Sequence, residues 1–154
     1  MTGKIDARLA DLGITLPEAP APAAAYVPYI VSGDLVFVSG QISMDADGLR
    51  TGKVGDGVTV EQAQESAKCC ALALLAQLKN AAGGDLDRVA QVVKLTGFVI
   101  AAPDFADHPE VINGASHLMA EVFGDKGQHA RAAVGSSSLP RGVQVEIEGI
   151  FRLA

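Results

Sequence analysis

Apolar positions along this chain repeat with two different periods, and each change of period marks an element. From Val143 onward the period is two. Val143, Val145 and Ile147 alternate with Gln144, Glu146 and Glu148, and Phe151 and Leu153 continue the apolar series. That alternation predicts a strand with one buried face. The β-branched run from Val89 to Ala101 predicts another strand, ended by Ala102-Pro103-Asp104. Ile30-Val31 and Leu35 to Val38, around a Ser32-Gly33-Asp34 turn, predict a hairpin. His129 to Leu139 predicts a further strand, joined to the last by a Pro140-Arg141-Gly142 turn.

Between these blocks the period is helical. Ala67, Cys70, Ala71, Leu74, Leu78 and Ala81 form one stripe at i, i+3, i+4 and i+7 spacing. Thr59 with Gln62 three residues on is a capping box before the stripe, and Gly83-Gly84 closes it. A second helix is predicted from Pro109, in its first turn, through Ile112, Ala115, Met119 and Val122 to Gly124. The stretch from Ser43 to Val58 is rich in Gly and Asp and reads as a loop. Ahead of everything, Lys4 to Leu12 reads as a short amphipathic helix, followed by an arm that Pro17, Pro20, Pro22 and Pro28 keep extended. This helix and arm are too short to separate two domains, and a single domain is expected.

The order hairpin, helix, strand, helix, strand, strand implies an α+β fold. Two helices are too few to cover both faces of such a sheet and should pack on one. The valines and isoleucine of the last strand then face the helices, and Glu146 and Glu148 face away. A solvated outer face is the ordinary outcome for an antiparallel sheet. Here, however, Ile150 lies on that side and the strand from Ala130 to Ala133 is rich in alanine, so a second copy could approach closely. A symmetric oligomer with the carboxylates near a subunit boundary is expected.

Composition narrows the chemistry. The chain of 154 residues is 49% hydrophobic and 19% charged, with a mean hydropathy of +0.27, so a packed core and interfaces must absorb the surplus. No apolar run reaches the roughly 18–20 residues that cross a bilayer, and the N-terminus lacks the layout of a secretion signal. The formal net charge of −6 with scattered basic residues argues against nucleic acid as a partner. Cys69 and Cys70 are adjacent inside a helical pattern, which suits burial and a reducing cytoplasm better than a disulfide framework. His108, His117 and His129 show no metal-ligand spacing. Neither a metal nor a cofactor is expected.

Four segments, in order, resemble the RidA/YjgF family of enamine/imine deaminases, also labelled endoribonuclease L-PSP or translation-inhibitor proteins. They are "YVPYIVSGDLVFVSGQI", "EQAQESAKCCALALLAQL", "VVKLTGFV" with "INGASHLMAEVFG", and a C-terminal signature standing here as "ARAAV", "LP" and "VQVEIEGI". The resemblance covers about Tyr26 to the end, which implies a domain at 26–154 with residues 1–25 as an extension packed on it. It implies a chorismate-mutase-like fold of the trimeric type, a mixed sheet with two helices on one face, assembled as a homotrimer with sites between subunits. It also implies hydrolysis of small 2-imino or 2-enamino acids, such as 2-aminoacrylate, to 2-keto acids and ammonia. By position, Arg131 holds the substrate carboxylate and Glu146 is associated with the attacking water. Tyr26, thirteen residues before Ser39 of the S-G-Q motif, lines the pocket with Ser39, and Asn113 corresponds to the family's asparagine opening the second helix. Ala133 stands where many members have a cysteine, and the N-terminal extension exceeds the compact members.

The residue types suit that chemistry. A guanidinium fork matches a carboxylate with two parallel charge-assisted hydrogen bonds. One carboxylate near a water serves as base and then as acid while ammonia departs. Alternatives remain at this level. Arg131 and Glu146 form a structural ion pair, Tyr26 packs on the hairpin, Asn113 caps its helix, and Ser39 bonds the turn. The protein as a whole is then a non-catalytic binder of small carboxylates or, less in keeping with its acidity, an endoribonuclease.

Overall fold

The computed structural model describes residues 2–154. In chain order the elements are α1 (Lys4–Asp11), β1 (Tyr29–Ser32) and β2 (Leu35–Ile42), then four two-residue strands, β3 (Met44–Asp45), β4 (Gly48–Leu49), β5 (Lys53–Val54) and β6 (Gly57–Val58). They continue with α2 (Val60–Ala81), β7 (Val89–Ile100), α3 (His108–Phe123), β8 (Ala130–Ser136) and β9 (Val145–Leu153). Five strands make one mixed sheet in the order β1-β2-β9-β7-β8, antiparallel except for the β7–β8 pair. The helices α2 and α3 cover one face, as the α+β reading requires.

Local chemistry explains the boundaries. The Thr59 hydroxyl accepts from the Gln62 backbone N–H at 3.1 Å while the Gln62 side chain accepts from Thr59 N–H at 2.9 Å, completing the capping box. Of the predicted stripe, Ala67, Cys70, Ala71, Leu74 and Leu78 are fully buried, whereas Ala81, at the last turn, is only half-buried. α3 crosses α2 where Gly114 replaces a side chain with backbone; a Cβ there would overlap the carbonyl oxygen of Gln64. On β9, Val145, Ile147 and Phe151 are wholly buried against the helices.

Three details depart from the sequence reading. The hairpin turn is tighter than three residues, because Gly33 adopts φ +63° and Ser32 already pairs with Leu35. The Gly- and Asp-rich loop contains the short ladders β3–β4 and β5–β6. Gln144 does not share the outer face with Glu146. It lies before β9 begins and is buried under α2, its amide oxygen accepting from Ser66 Oγ at 2.7 Å and its nitrogen donating to the Thr51 carbonyl at 2.8 Å.

The N-terminal extension is fastened along its length. Asp87 accepts from the backbone N–H of Lys4 and of Ile5, each at 2.8 Å, and so supplies from a distance the cap that α1 lacks locally. Asp6 pairs with Lys79 at 2.9 Å, Leu9 is buried, and Gln77 donates to the Pro20 carbonyl at 2.7 Å. Cys70 is completely buried and Cys69 half-buried. Burial, the first cause for each, pushes both thiols above their ordinary range and keeps them protonated.

No helix among the described residues covers the other face of the sheet. Across it run Ile30, Phe37, Ile150, Lys94 and Ala130 in one row, and Ile42, Glu146, Phe98 and Val134 in another. Ile30 is 55% exposed, Phe37 42% and Val134 44%, so this face is apolar as well as open.

Candidate active site

Glu146 lies near one end of the open face, opposite Phe98 on β7 and Ile42 on β2. The register of β2 against β9 shifts between Val38 and Gln41, and this irregularity places Gly40 directly against the Glu146 carboxylate. A Cβ on Gly40 would collide with Glu146 Oε1, so any larger residue there requires the carboxylate to move. The carboxylate is half-buried and accepts no hydrogen bond from the described residues. Burial raises its pKa above the ordinary glutamate range, and the neighbouring charge of Glu148 adds to the effect.

A cleft of about 720 Å³ opens beside it. The N-terminal arm, Pro20 to Ala24, forms one wall, and Tyr26, Ser39, Gln41 and Arg141 contribute polar groups. Ser39 Oγ donates to the Val27 carbonyl at 2.7 Å and its N–H donates to the Pro28 carbonyl at 2.9 Å, so it also pins the arm to β2. The Tyr26 hydroxyl accepts from the Ala23 N–H at 3.4 Å. Arg141 and Gln41 were not anticipated from sequence. Arg141 has φ +57°, a left-handed conformation uncommon outside glycine, and that turn aims it at the cleft.

Arg131 sits elsewhere. It pairs with Leu95, whose side chain is buried beneath the helices, and therefore projects to the helix side at the free edge of the sheet. There Arg131 Nη1 donates to Asn113 Oδ1 at 2.8 Å and to Ser116 Oγ at 3.2 Å. These residues, with His117 and His129, line a shallow pocket of about 300 Å³. Asn113 is in the second turn of α3 and does not open the helix; the N-cap position is Asp107, so Asn113 orients the arginine and does not cap. Ala133, two places along from Arg131, is half-buried and lines neither pocket. The structure thus brings Glu146, Tyr26 and Ser39 together, and Arg131 with Asn113. Within one chain no ion pair among the described residues links the two groups, and they line different pockets. Ser116 and His129 also escaped the sequence reading, because neither spacing nor composition marks them. No cluster of three His, Cys, Asp or Glu side chains suited to a metal ion occurs among the described residues.

Residues 6–145 match the family described as "YjgF/chorismate_mutase-like, putative endoribonuclease". The chain belongs to this YjgF/RidA family. It is 47% identical over 154 residues to Protein TCP17 of Trypanosoma cruzi, covering 99% of this chain and 96% of the relative. It is 31% identical over 137 residues to the 2-iminobutanoate/2-iminopropanoate deaminase of Dermatophagoides farinae, covering 89% and 92%. The crystal structure of protein Atu1372 from Agrobacterium tumefaciens superposes with a TM-score of 0.90 at 48% identity, covering 97% of this chain and 92% of that one. Membership in the YjgF/RidA family accounts for the mixed sheet with helices on one face. No helix among the described residues is long and apolar enough to cross a membrane.

Proposed function

We propose that this protein hydrolyses 2-imino and 2-enamino acids to 2-keto acids and ammonia, at sites shared between the subunits of a cytoplasmic homotrimer. The observation that carries the reading is Glu146, a carboxylate without a hydrogen-bond partner among the described residues, held against Gly40 in a largely apolar cleft where its pKa is raised. With its pKa raised, such a group is a stronger base than an ordinary glutamate, suited to take a proton from water and to give it back. Relatives named as 2-iminobutanoate/2-iminopropanoate deaminases support the choice of substrate class.

In this mechanism Arg131 of one subunit binds the substrate carboxylate. Its Nη1 is occupied by Asn113 and Ser116, and its other donors meet no acceptor among the described residues, which leaves a fork for two parallel bonds. Glu146 of the adjacent subunit orients a water toward the C=N carbon and removes its proton as the C–O bond forms. The protonated carboxyl then delivers that proton to the amine nitrogen. Glu146 then takes the carbinolamine hydroxyl proton and passes it to the nitrogen as the C–N bond breaks, releasing ammonia and the keto acid. Tyr26 and Ser39 shape the wall beside the substrate, and Ala133 supplies only backbone at the family's cysteine position. None of these steps calls for a cofactor. General acid–base assistance of about 10²–10⁴-fold is all that Glu146 must provide.

A second reading, a non-catalytic binder of small carboxylates, draws on the distance between the Arg131 pocket and the Glu146 cleft within one chain. An endoribonuclease reading sits poorly with a net charge of −6. The deciding experiment releases imines with an amino-acid oxidase in the presence of semicarbazide and follows semicarbazone formation. Wild-type protein should suppress the semicarbazone, and Arg131→Ala and Glu146→Gln should not. Binding of 2-keto acids without any suppression, across several amino acids, would establish the binder instead.

A further inference from the structure

Arg131 is not held by Asn113 alone; Ser116 also reaches it, and behind Ser116 stands His129, which no part of the deamination scheme uses. Ser116 lies three residues after Asn113 on α3, so the two side chains share a helix face and reach the same guanidinium nitrogen. Ser116 Oγ lies 2.8 Å from His129 Nε2, and His129 Nδ1 lies 2.6 Å from the Gly127 carbonyl oxygen.

The proton positions follow from what each atom is able to do. A carbonyl oxygen only accepts, so His129 Nδ1 carries a hydrogen and donates to Gly127. In the neutral imidazole Nε2 is then a bare acceptor, and the Ser116 hydroxyl donates to it. The serine oxygen is left with its lone pairs toward Arg131 Nη1, which donates to it. Every member of the chain Arg131, Ser116, His129, Gly127 is satisfied in one direction only, and each bond polarises the next. Gly127 packs its backbone directly on α3, where a Cβ would overlap the carbonyl oxygen of Met119.

We infer that Ser116 and His129 are positioning residues that fix the Arg131 guanidinium for carboxylate capture, with the histidine's Nδ1–H tautomer setting the serine as an acceptor. The inference rests on the proposed role of Arg131 and extends it. With Asn113 and Ser116 both on Nη1, the plane of the fork is set and its remaining donors face the shallow pocket. Replacing His129 by a side chain without an acceptor releases the serine proton, and the hydroxyl no longer offers Arg131 a dedicated lone pair.

The test uses the intact protein and two readouts, inhibition by the 2-keto acid product pyruvate and steady-state turnover of enzymatically released imines. Ser116→Ala and His129→Leu should each raise KM and the pyruvate Ki about tenfold, the scale of one hydrogen bond to a charged group, with kcat within about twofold. Ser116→Thr, which restores a hydroxyl, and His129→Gln, which restores an acceptor at that reach, should recover most of the loss. Rescue by both conservative variants separates positioning from a merely structural role, because a packing defect would not follow hydrogen-bonding capacity. If Arg131→Ala loses pyruvate inhibition while Ser116→Ala and His129→Leu keep wild-type KM and Ki, the relay is overturned and Arg131 stands alone. If Arg131→Ala binds pyruvate as wild type does, the carboxylate reading itself fails and the relay with it.

Discussion

Arg131 and Glu146 stand on opposite faces of the same sheet. Arg131 pairs with Leu95 on the helix side, and Glu146 pairs with Phe98 on the open side. One small substrate cannot touch both within a chain, so the proposed chemistry needs two copies. The apolar open face, with Ile30, Phe37 and Val134 exposed, gives them a surface on which to meet.

Complementation tests this arrangement directly. Arg131→Ala and Glu146→Gln should each be inactive as pure oligomers. Co-expressed in equal amounts and allowed to mix, they should regain about a quarter of wild-type activity, because one shared site in four receives both intact groups. A mixture as inactive as its parents would mean that each site is built from one chain.

The pH dependence follows from the raised pKa of Glu146. The folded state holds that proton more tightly than the unfolded state does, so the stability that wild type enjoys at acid pH declines as pH rises through the window above the ordinary glutamate value. Glu146→Gln removes the charged form. Thermal melts should therefore show the variant gaining over wild type at neutral pH and losing that advantage below about pH 4. Turnover of wild type should rise with pH through the same window, since the deprotonated carboxylate is the base.

Gly40→Ala probes the contact that shapes the site. The added methyl meets the Glu146 carboxylate, which must swing away. Turnover should fall about 10- to 100-fold for a displacement of that order, while circular dichroism and oligomer size stay unchanged. Wild-type kinetics in this variant would show that the carboxylate's position is not critical.

The helix α1, ahead of the arm that walls the cleft, is tied to the domain through Asp87. The Ile5 and Lys4 N–H groups hold its carboxyl below the usual aspartate range. Its contribution to docking is fully present above the unfolded pKa and is lost as pH falls through the lower folded one. Asp87→Ala should accelerate hydrogen exchange and proteolysis over residues 4–12 at neutral pH. Protection equal to wild type would assign the docking of α1 to Leu9 and its apolar neighbours.

Much of this molecule was legible in the chain because its signals are local. The capping box of Thr59 and Gln62, the stripe down α2, and the alternation of Val145, Ile147, Phe151 and Leu153 each depend on neighbours a few residues away, where backbone geometry fixes which side chains share a face. Arg131, Glu146, Tyr26 and Ser39 were likewise singled out by their spacing in a family pattern. What the sequence could not decide was which of them meet. Asn113 became a partner of Arg131, and not a cap, because α3 starts five residues earlier and turns that side chain toward β8. Ser116 and His129 emerged only where α3 and the start of β8 converge. Arg141 joined the cleft through a left-handed turn that no periodicity encodes. Periodicity assigns a residue to a face, but the pairing of β8 beside β7, and of β9 between β7 and β2, decides which faces carry the arginine and the carboxylate. That pairing is a contest among distant segments settled by burial of the whole core, so only the tertiary structure places the two groups on opposite sides.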